Sequence, residues 1–292
     1  MKPGIFGLDA FSPSEVARRI ETIGVTKARL PLLPMVKLGL LAGGFIALGA
    51  LYFVLVLSDA SLDFALSRVL GGVAFSAGLI MCVVAGAELF TGNNLLAMAW
   101  ADGRITTSEL LYNWLIVALS NLVGAVGVAL IVYFSGHADM NGAGIGAQYM
   151  KMAAAKCELS FSNAFFRGVL CNFLVCIAVW MAMAGRTVAD KILAIVFPIS
   201  AFVAAGFEHS VANMYIIPLG IFLKGSSMAF PALSWTGFAH NIVPVILGNL
   251  VGGSVLVALV YHVVYRRGLA SAGSGAIRIR ARNETAGRVT RD

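Results

Sequence analysis

The stretch Ala205-Gly206-Phe207-Glu208-His209-Ser210-Val211-Ala212-Asn213 sets a carboxylate beside an imidazole in the middle of a long apolar run. Ile192–Phe197 precedes it and Met214–Leu219 follows, so neighbouring side chains offer little in place of water. Ionisable groups in such surroundings are expensive, and they mark solute pathways or proton relays. A neutral imidazole can donate a hydrogen bond to a passing anion, and a cationic one can give up a proton. Glu208 would favour the charged ring only if both side chains point the same way. A structural alternative stands beside this one, in which the pair satisfies backbone amides freed at a helix break.

The motif has a partner. Ala85-Gly86-Ala87-Glu88 repeats Ala205-Gly206-Phe207-Glu208, and Asn93 and Asn213 each follow their glutamate by five positions. Asn113…Asn121-Leu122-Val123-Gly124 is echoed by Asn241…Asn249-Leu250-Val251-Gly252 with the same eight-residue step. These echoes describe a duplicated unit whose second copy carries a longer internal loop. Repetition at both sites suits a structural brace for Glu88 and Glu208.

Composition defines the medium. The chain is 59% hydrophobic and 12% charged over 292 residues, with a mean hydropathy of +0.88, whereas soluble domains carry about 25% charged residues. An all-α integral membrane protein of six transmembrane helices follows, each span needing about 20 apolar residues. The net charge of +7 does not indicate nucleic acid, because the basic residues collect before residue 38 and after residue 265. Cys82, Cys157, Cys171 and Cys176 show no metal-ligand spacing, and neither cofactor nor metal is expected. No cleavable leader is expected in residues 1–30, which are mixed and polar.

Residues 1–34 read as a cytoplasmic segment with an amphipathic surface helix, residues 35–266 as a six-helix channel domain, and residues 267–292 as a basic, disordered tail. Spans are expected near Met35–Leu57, Val69–Trp100, Trp114–Phe134, Asn163–Met183, Val188–Leu223 and Ile242–Tyr265. The second and fifth are too long or too polar to be straight. The second should run helically to about Phe90, break, and resume as a short helix near Thr106. The fifth should break near Gly206–Ser210, and Gly136–Ser160 reads as a loop. With this assignment 16 Lys/Arg lie on one side and five on the other, which places both termini in the cytoplasm. Three spans per unit is an odd number, so the second unit inserts upside down. Paired broken helices in an inverted repeat point to a solute site at the bilayer midplane.

Other polar residues admit two readings. Thr91 either caps the first broken helix or faces a solute, and Asn172, like Asn93 and Asn213, is either helix-to-helix glue or a ligand. Lys156 is a solvated charge or a lure that raises anion concentration at a pore mouth. Phe75, Leu79, Leu89, Phe90, Val175 and Phe202 cannot be told from ordinary packing by spacing.

Gly206-Phe207-Glu208-His209-Ser210-Val211-Ala212-Asn213-Met214 and Gly86-Ala87-Glu88-Leu89-Phe90-Thr91-Gly92-Asn93 resemble the fifth- and second-span signatures of the formate/nitrite transporter family. Matching context extends through Leu170–Cys176 and Gly248–Gly253. The resemblance implies an aquaporin-like protomer with its own pore in a homopentamer, surrounded by membrane lipid. It further implies that His209 sits between two hydrophobic slits built from Phe75, Leu79, Leu89, Phe90, Val175 and Phe202. Thr91, Lys156, Asn172 and Glu208 match pore-associated polar positions. The expected cargo is a small monovalent anion of a weak acid, formate first and nitrite or hydrosulfide as alternatives, in a bacterial cytoplasmic membrane. A neutral-solute channel could use the same architecture but would not need an ionisable residue midway. An enzyme would need a second acid–base group or a metal cluster near His209, and none is evident.

Overall fold

The computed structural model describes residues 10–226 and 228–267, without the side chains of residues 266 and 267. The expected disordered tail, apart from its first residue, lies outside the described residues, as do residues 1–9. Among the described residues the secondary structure is entirely helical. Five helices are long and apolar enough to cross a membrane: Leu32–Leu57, Phe64–Gly86, Thr107–Phe134, Phe161–Ala184 and Trp235–Tyr265.

Helix α1 (Pro13–Ala28) opens on a reciprocal Ser12/Glu15 capping box with proline in its first turn, two features that favour a helix start. One face of it is exposed and the other is seated against the rest of the chain. Val16, Ala17 and Ile20 pack against Met98 and Trp180. Glu21 is fully buried, with Oε1 3.7 Å from His262 Nδ1 and Oε2 4.0 Å from Arg104 Nη1. Phe11, just ahead of the helix, lies between the guanidiniums of Arg19 and Arg186, 3.9 and 4.5 Å from its ring centre.

The long helices α2 (Leu32–Leu57), α5 (Thr107–Phe134), α7 (Phe161–Ala184) and α10 (Trp235–Leu250) begin two to seven residues before the expected spans. Polar caps account for this at three of them. The side chains of Thr106, Ser160 and Ser234 accept from the backbone N–H of Glu109, Asn163 and Gly237. Apolarity marks the lipid-facing part of a helix, while the caps mark its start. The expected loop at 136–160 contains α6 (Gly144–Cys157), whose Ile145, Tyr149, Ala153 and Cys157 are buried at helical spacing.

Two chain breaks dominate the interior. Helix α3 (Phe64–Met81) continues through one wide turn, Cys82–Gly86, and stops there. That is four residues earlier than expected. Gly86 has φ +84°, a conformation that costs an L-residue about 1–2 kcal/mol. The chain then runs extended at Ala87 and resumes as a tight turn, Gly92–Leu96, leading into the short helix α4 (Ala97–Ala101). No separate short helix begins near Thr106, since α5 itself starts there. The second break lies where expected, between α8 (Val188–Ala204) and α9 (Ser210–Lys224), with Gly206 at φ +75°. Residues Ser210 to Gly220 of α9 are all buried.

Close helix crossings hold the breaks in place. A methyl group on Gly43 would run into the main-chain carbonyl of Asn121, where α2 crosses α5. One on Gly248 would run into that of Phe165, where α7 crosses α10. Small residues permit this backbone-to-backbone approach, and it brings Asn121 and Asn249 up to the two breaks.

Candidate functional site

A chain break in an apolar interior frees backbone groups, each of which costs several kcal/mol if left without a partner. The two breaks meet this requirement with the same set of side chains. At the first, Glu88 N–H donates to Leu38 O at 3.2 Å, Asn121 Nδ2 donates to Glu88 O at 2.9 Å, and Phe90 N–H donates to Asn121 Oδ1 at 2.9 Å. At the second, Glu208 N–H donates to Arg167 O at 3.2 Å, Asn249 Nδ2 to Glu208 O at 3.0 Å, and Ser210 N–H to Asn249 Oδ1 at 3.0 Å.

The carboxylates match as closely. Glu88 lies 2.9 Å from Lys27 Nζ and accepts from Asn93 Nδ2 at 2.7 Å. Glu208 lies 2.7 Å from Lys156 Nζ and accepts from Asn213 Nδ2 at 2.7 Å. Asn113 and Asn241 close each group, donating to the main-chain carbonyls of Lys27 and Lys156 at 3.1 and 2.9 Å. A buried carboxylate with a cation and an amide on its oxygens is the arrangement that offsets desolvation. Lys156 and Glu208 thus face each other as an ion pair, and Glu208 points toward Lys156 and Asn213 while His209 points toward Thr91.

His209 is 2% exposed. It caps the start of α9, its Nδ1 accepting from the Ala212 N–H at 3.1 Å. That bond requires a lone pair on Nδ1, which fixes the proton of the neutral ring on Nε2. Nε2 lies 3.0 Å from Thr91 Oγ1, so Nε2–H donates to the hydroxyl. Thr91 joins the two breaks, and its carbonyl accepts from Asn172 Nδ2 at 3.3 Å and Cys176 Sγ at 3.4 Å. Asn172 Nδ2 also lies 2.7 Å from both Asn94 Oδ1 and the Asn249 carbonyl. Asn172 therefore works between segments as a tie, and Thr91 and His209 present the polar atoms at the centre.

Two cavities approach this centre. One of about 180 Å³ is lined by His209, Phe75, Phe202, Lys156 and Glu208. The Phe202 ring stacks on the imidazole at 5.9 Å between centroids, and Phe75 meets it edge-on at 6.3 Å. The other cavity, about 380 Å³, is lined by Leu79, Leu89, Lys27 and Glu88. Phe75 and Leu79 sit one turn apart on the same face of α3, about 6 Å along its axis. The proposed slit residues therefore divide by cavity: Phe75 and Phe202 face one, and Leu79 and Leu89 the other. Phe90 and Val175 are buried and line neither.

Lys27, Arg68 and Arg167 escaped the sequence reading as site residues. Lys27 precedes Gly39 by twelve positions, as Lys156 precedes Gly168, and these two glycine carbonyls accept from Asn121 and Asn249. That spacing was a usable signal. Arg68 and Arg167, which line the smaller cavity, entered the reading only as charges counted for topology.

Residues 14–263 match the sequence profile of the formate/nitrite transporter family. The formate channel FocA of Escherichia coli (strain K12) is 38% identical over 276 residues, covering 89% of this chain and 96% of that one. The transporter YrhG of Bacillus subtilis (strain 168) is 42% identical over 261 residues, covering 87% and 94%. A solved structure described as a pentameric formate channel with formate bound superposes with a TM-score of 0.76 at 33% identity, over 80% of this chain and 97% of that one. With a family match across this length and relatives this similar, the chain belongs to the formate/nitrite transporter family.

Proposed function

We propose that the chain conducts formate across a membrane, through one pore per protomer, with His209 as the polar station between two apolar constrictions. The observation that carries this reading is the imidazole at the inner end of a cavity, one helical turn along α3 from a second cavity. The formate channels among its relatives support the choice of anion. We further read α3 with α4, and α8 with α9, as broken spans of two inverted three-helix halves in a homopentamer. The excess of Lys and Arg at the chain ends supports a cytoplasmic side for both termini and for the Lys27 cavity.

The energetics explain the need for a histidine. An unpaired anion in an apolar slit faces an idealised Born cost of order 20 kcal/mol, and several kcal/mol after relaxation. Protonating an acid of pKa about 3.5–4 at pH 7 costs roughly 4–5 kcal/mol, so crossing as the neutral acid competes. The Nε2–H of His209 donates to Thr91 Oγ1, which leaves the Thr91 hydroxyl proton as the first donor for the carboxylate, and the Nε2–H joins it by switching from Thr91 to the anion. A second proton on the ring would go to Nδ1, where the Ala212 N–H already points, so proton lending requires the α9 cap to open. Hydrogen-bond donation is the resting role, and proton transfer follows when the cap gives way.

The test is formate uptake into liposomes over a pH series with His209→Phe and His209→Asn. Asparagine is a good N-cap and keeps amide donors but cannot carry the proton. Both variants should lose the pH dependence of uptake, and the asparagine form should retain the better fold stability. Unchanged flux and unchanged pH dependence in His209→Phe would rule out the proton role. Nitrite uptake measured alongside decides between the two anions.

A further inference from the structure

We propose that Arg68 and Arg167 form an anion-capture site at the mouth of the smaller cavity, ahead of His209, built for a planar carboxylate or a bent oxyanion. The inference rests on the anion-channel reading and adds to it the residues that do the capturing. Three cationic side chains, Arg68, Lys156 and Arg167, line this cavity with one carboxylate, Glu208. The carboxylate is committed to Lys156 at 2.7 Å. Among the described residues, no carboxylate lies within ion-pair distance of either arginine. By contrast, the larger cavity holds one cation and one carboxylate, Lys27 and Glu88, and these are paired at 2.9 Å.

Arg68 is held rigidly. Its Nε donates to the Ala204 carbonyl at 3.1 Å and its Nη2 to that of Val203 at 3.0 Å, closing the C-terminus of α8. A guanidinium carries five N–H donors, so three remain, and none has a described protein acceptor. Gly206 makes the placement possible, because a Cβ there would sit 2.9 Å from Arg68 Nη2. Arg167 is anchored through its backbone, whose carbonyl accepts from Glu208 N–H, while its exposed side chain makes no described hydrogen bond. Helix capping accounts for Arg68 alone. It does not account for a second guanidinium lining the same cavity. Two like charges brought together repel, and an anion between them relieves the repulsion. The guanidinium fork matches the two oxygens of a carboxylate, which a lysine ammonium does not.

The experiment uses the full-length protein in liposomes, with initial formate uptake measured against concentration at low and at high salt. Arg167→Gln should raise the KM about five- to tenfold at low salt with a much smaller change in maximal rate, and high salt should shrink the difference. Arg68→Lys keeps the charge and can still reach the α8 carbonyls; it should raise the KM for formate more than for hydrosulfide, which has no second oxygen to grip. Lys151→Gln removes the same charge from an exposed position on α6 away from the cavity, and its KM should match that of the wild type.

Binding is read separately, as the rise in unfolding midpoint of solubilised protein when formate replaces chloride. The rise should persist in His209→Phe and shrink in Arg167→Gln. An unaltered KM and salt dependence in Arg167→Gln, or a midpoint rise lost only in His209→Phe, overturns the proposal. A wild type that carries nitrite but no formate overturns the substrate reading alone, and the KM comparison then stands on nitrite.

Discussion

At the first break Glu88 is followed by Leu89, and at the second Glu208 is followed by His209. Around them the chain repeats the same main bonds: a lysine on the carboxylate, one asparagine on its second oxygen, and another asparagine bridging the freed backbone groups. The brace is shared, and the chemistry is not. A duplicated scaffold solves the backbone problem twice, which leaves the residue after each glutamate free to differ. One copy spends that freedom on apolar bulk beside Leu79, the other on an imidazole against Phe75 and Phe202. The cavities differ in the same sense, since one is charge-balanced and the other carries two guanidiniums in excess.

The largest effects should come from breaking the shared part. Lys27→Met and Lys156→Met each leave a buried carboxylate without its cation, a loss of about 3–5 kcal/mol. Unfolding of the solubilised protein by heat or denaturant should register similar losses for the two variants. A large loss at one break and none at the other would show that the braces are not equivalent.

His209→Leu makes the second break like the first. It removes a donor to a charged solute, about 1.5–3 kcal/mol, so formate flux should fall on the order of tenfold to a hundredfold. Uptake assays should also show no rescue when Leu89→His is added, because position 89 faces the other cavity. Recovery of flux in the double variant would mean that either break can host the station.

The smallest effects lie at the glycines. Gly86→Ala and Gly206→Ala should each cost about 1–2 kcal/mol from the left-handed backbone. Only Gly206→Ala should also raise the formate KM, since its methyl group pushes on Arg68. Equal transport kinetics in the two variants would remove the asymmetry assigned to the arginines.

Much of this was legible in the sequence because polar residues in an apolar chain stand out. Glu88, Glu208, His209 and the asparagines announced the breaks, and their spacing announced the duplication. Helix α6 was hidden although Ile145, Tyr149, Ala153 and Cys157 recur every four residues, because the intervening glycines and alanines dilute the contrast between its faces. The seating of α1 was also hidden, since a buried Glu21 reads as a solvated charge until His262 and Arg104 are placed beside it. The arginines were visible only as charges counted for topology. A charge near a span end satisfies the topology rule whether it faces water or a pore, and only three dimensions tell these apart.

The glycine crossings carry one more consequence. Between the two halves the same close approach recurs at Gly72 of α3, where a methyl group would run into the main-chain carbonyl of Ser200 on α8, so one half of the molecule has little slack with which to rock against the other. Alternating access depends on such rocking. A passage built this way stays in place while side chains open and close it, and its throughput should warm up gently, as diffusion does, without the steep thermal activation of a carrier that must refold its contacts on every cycle.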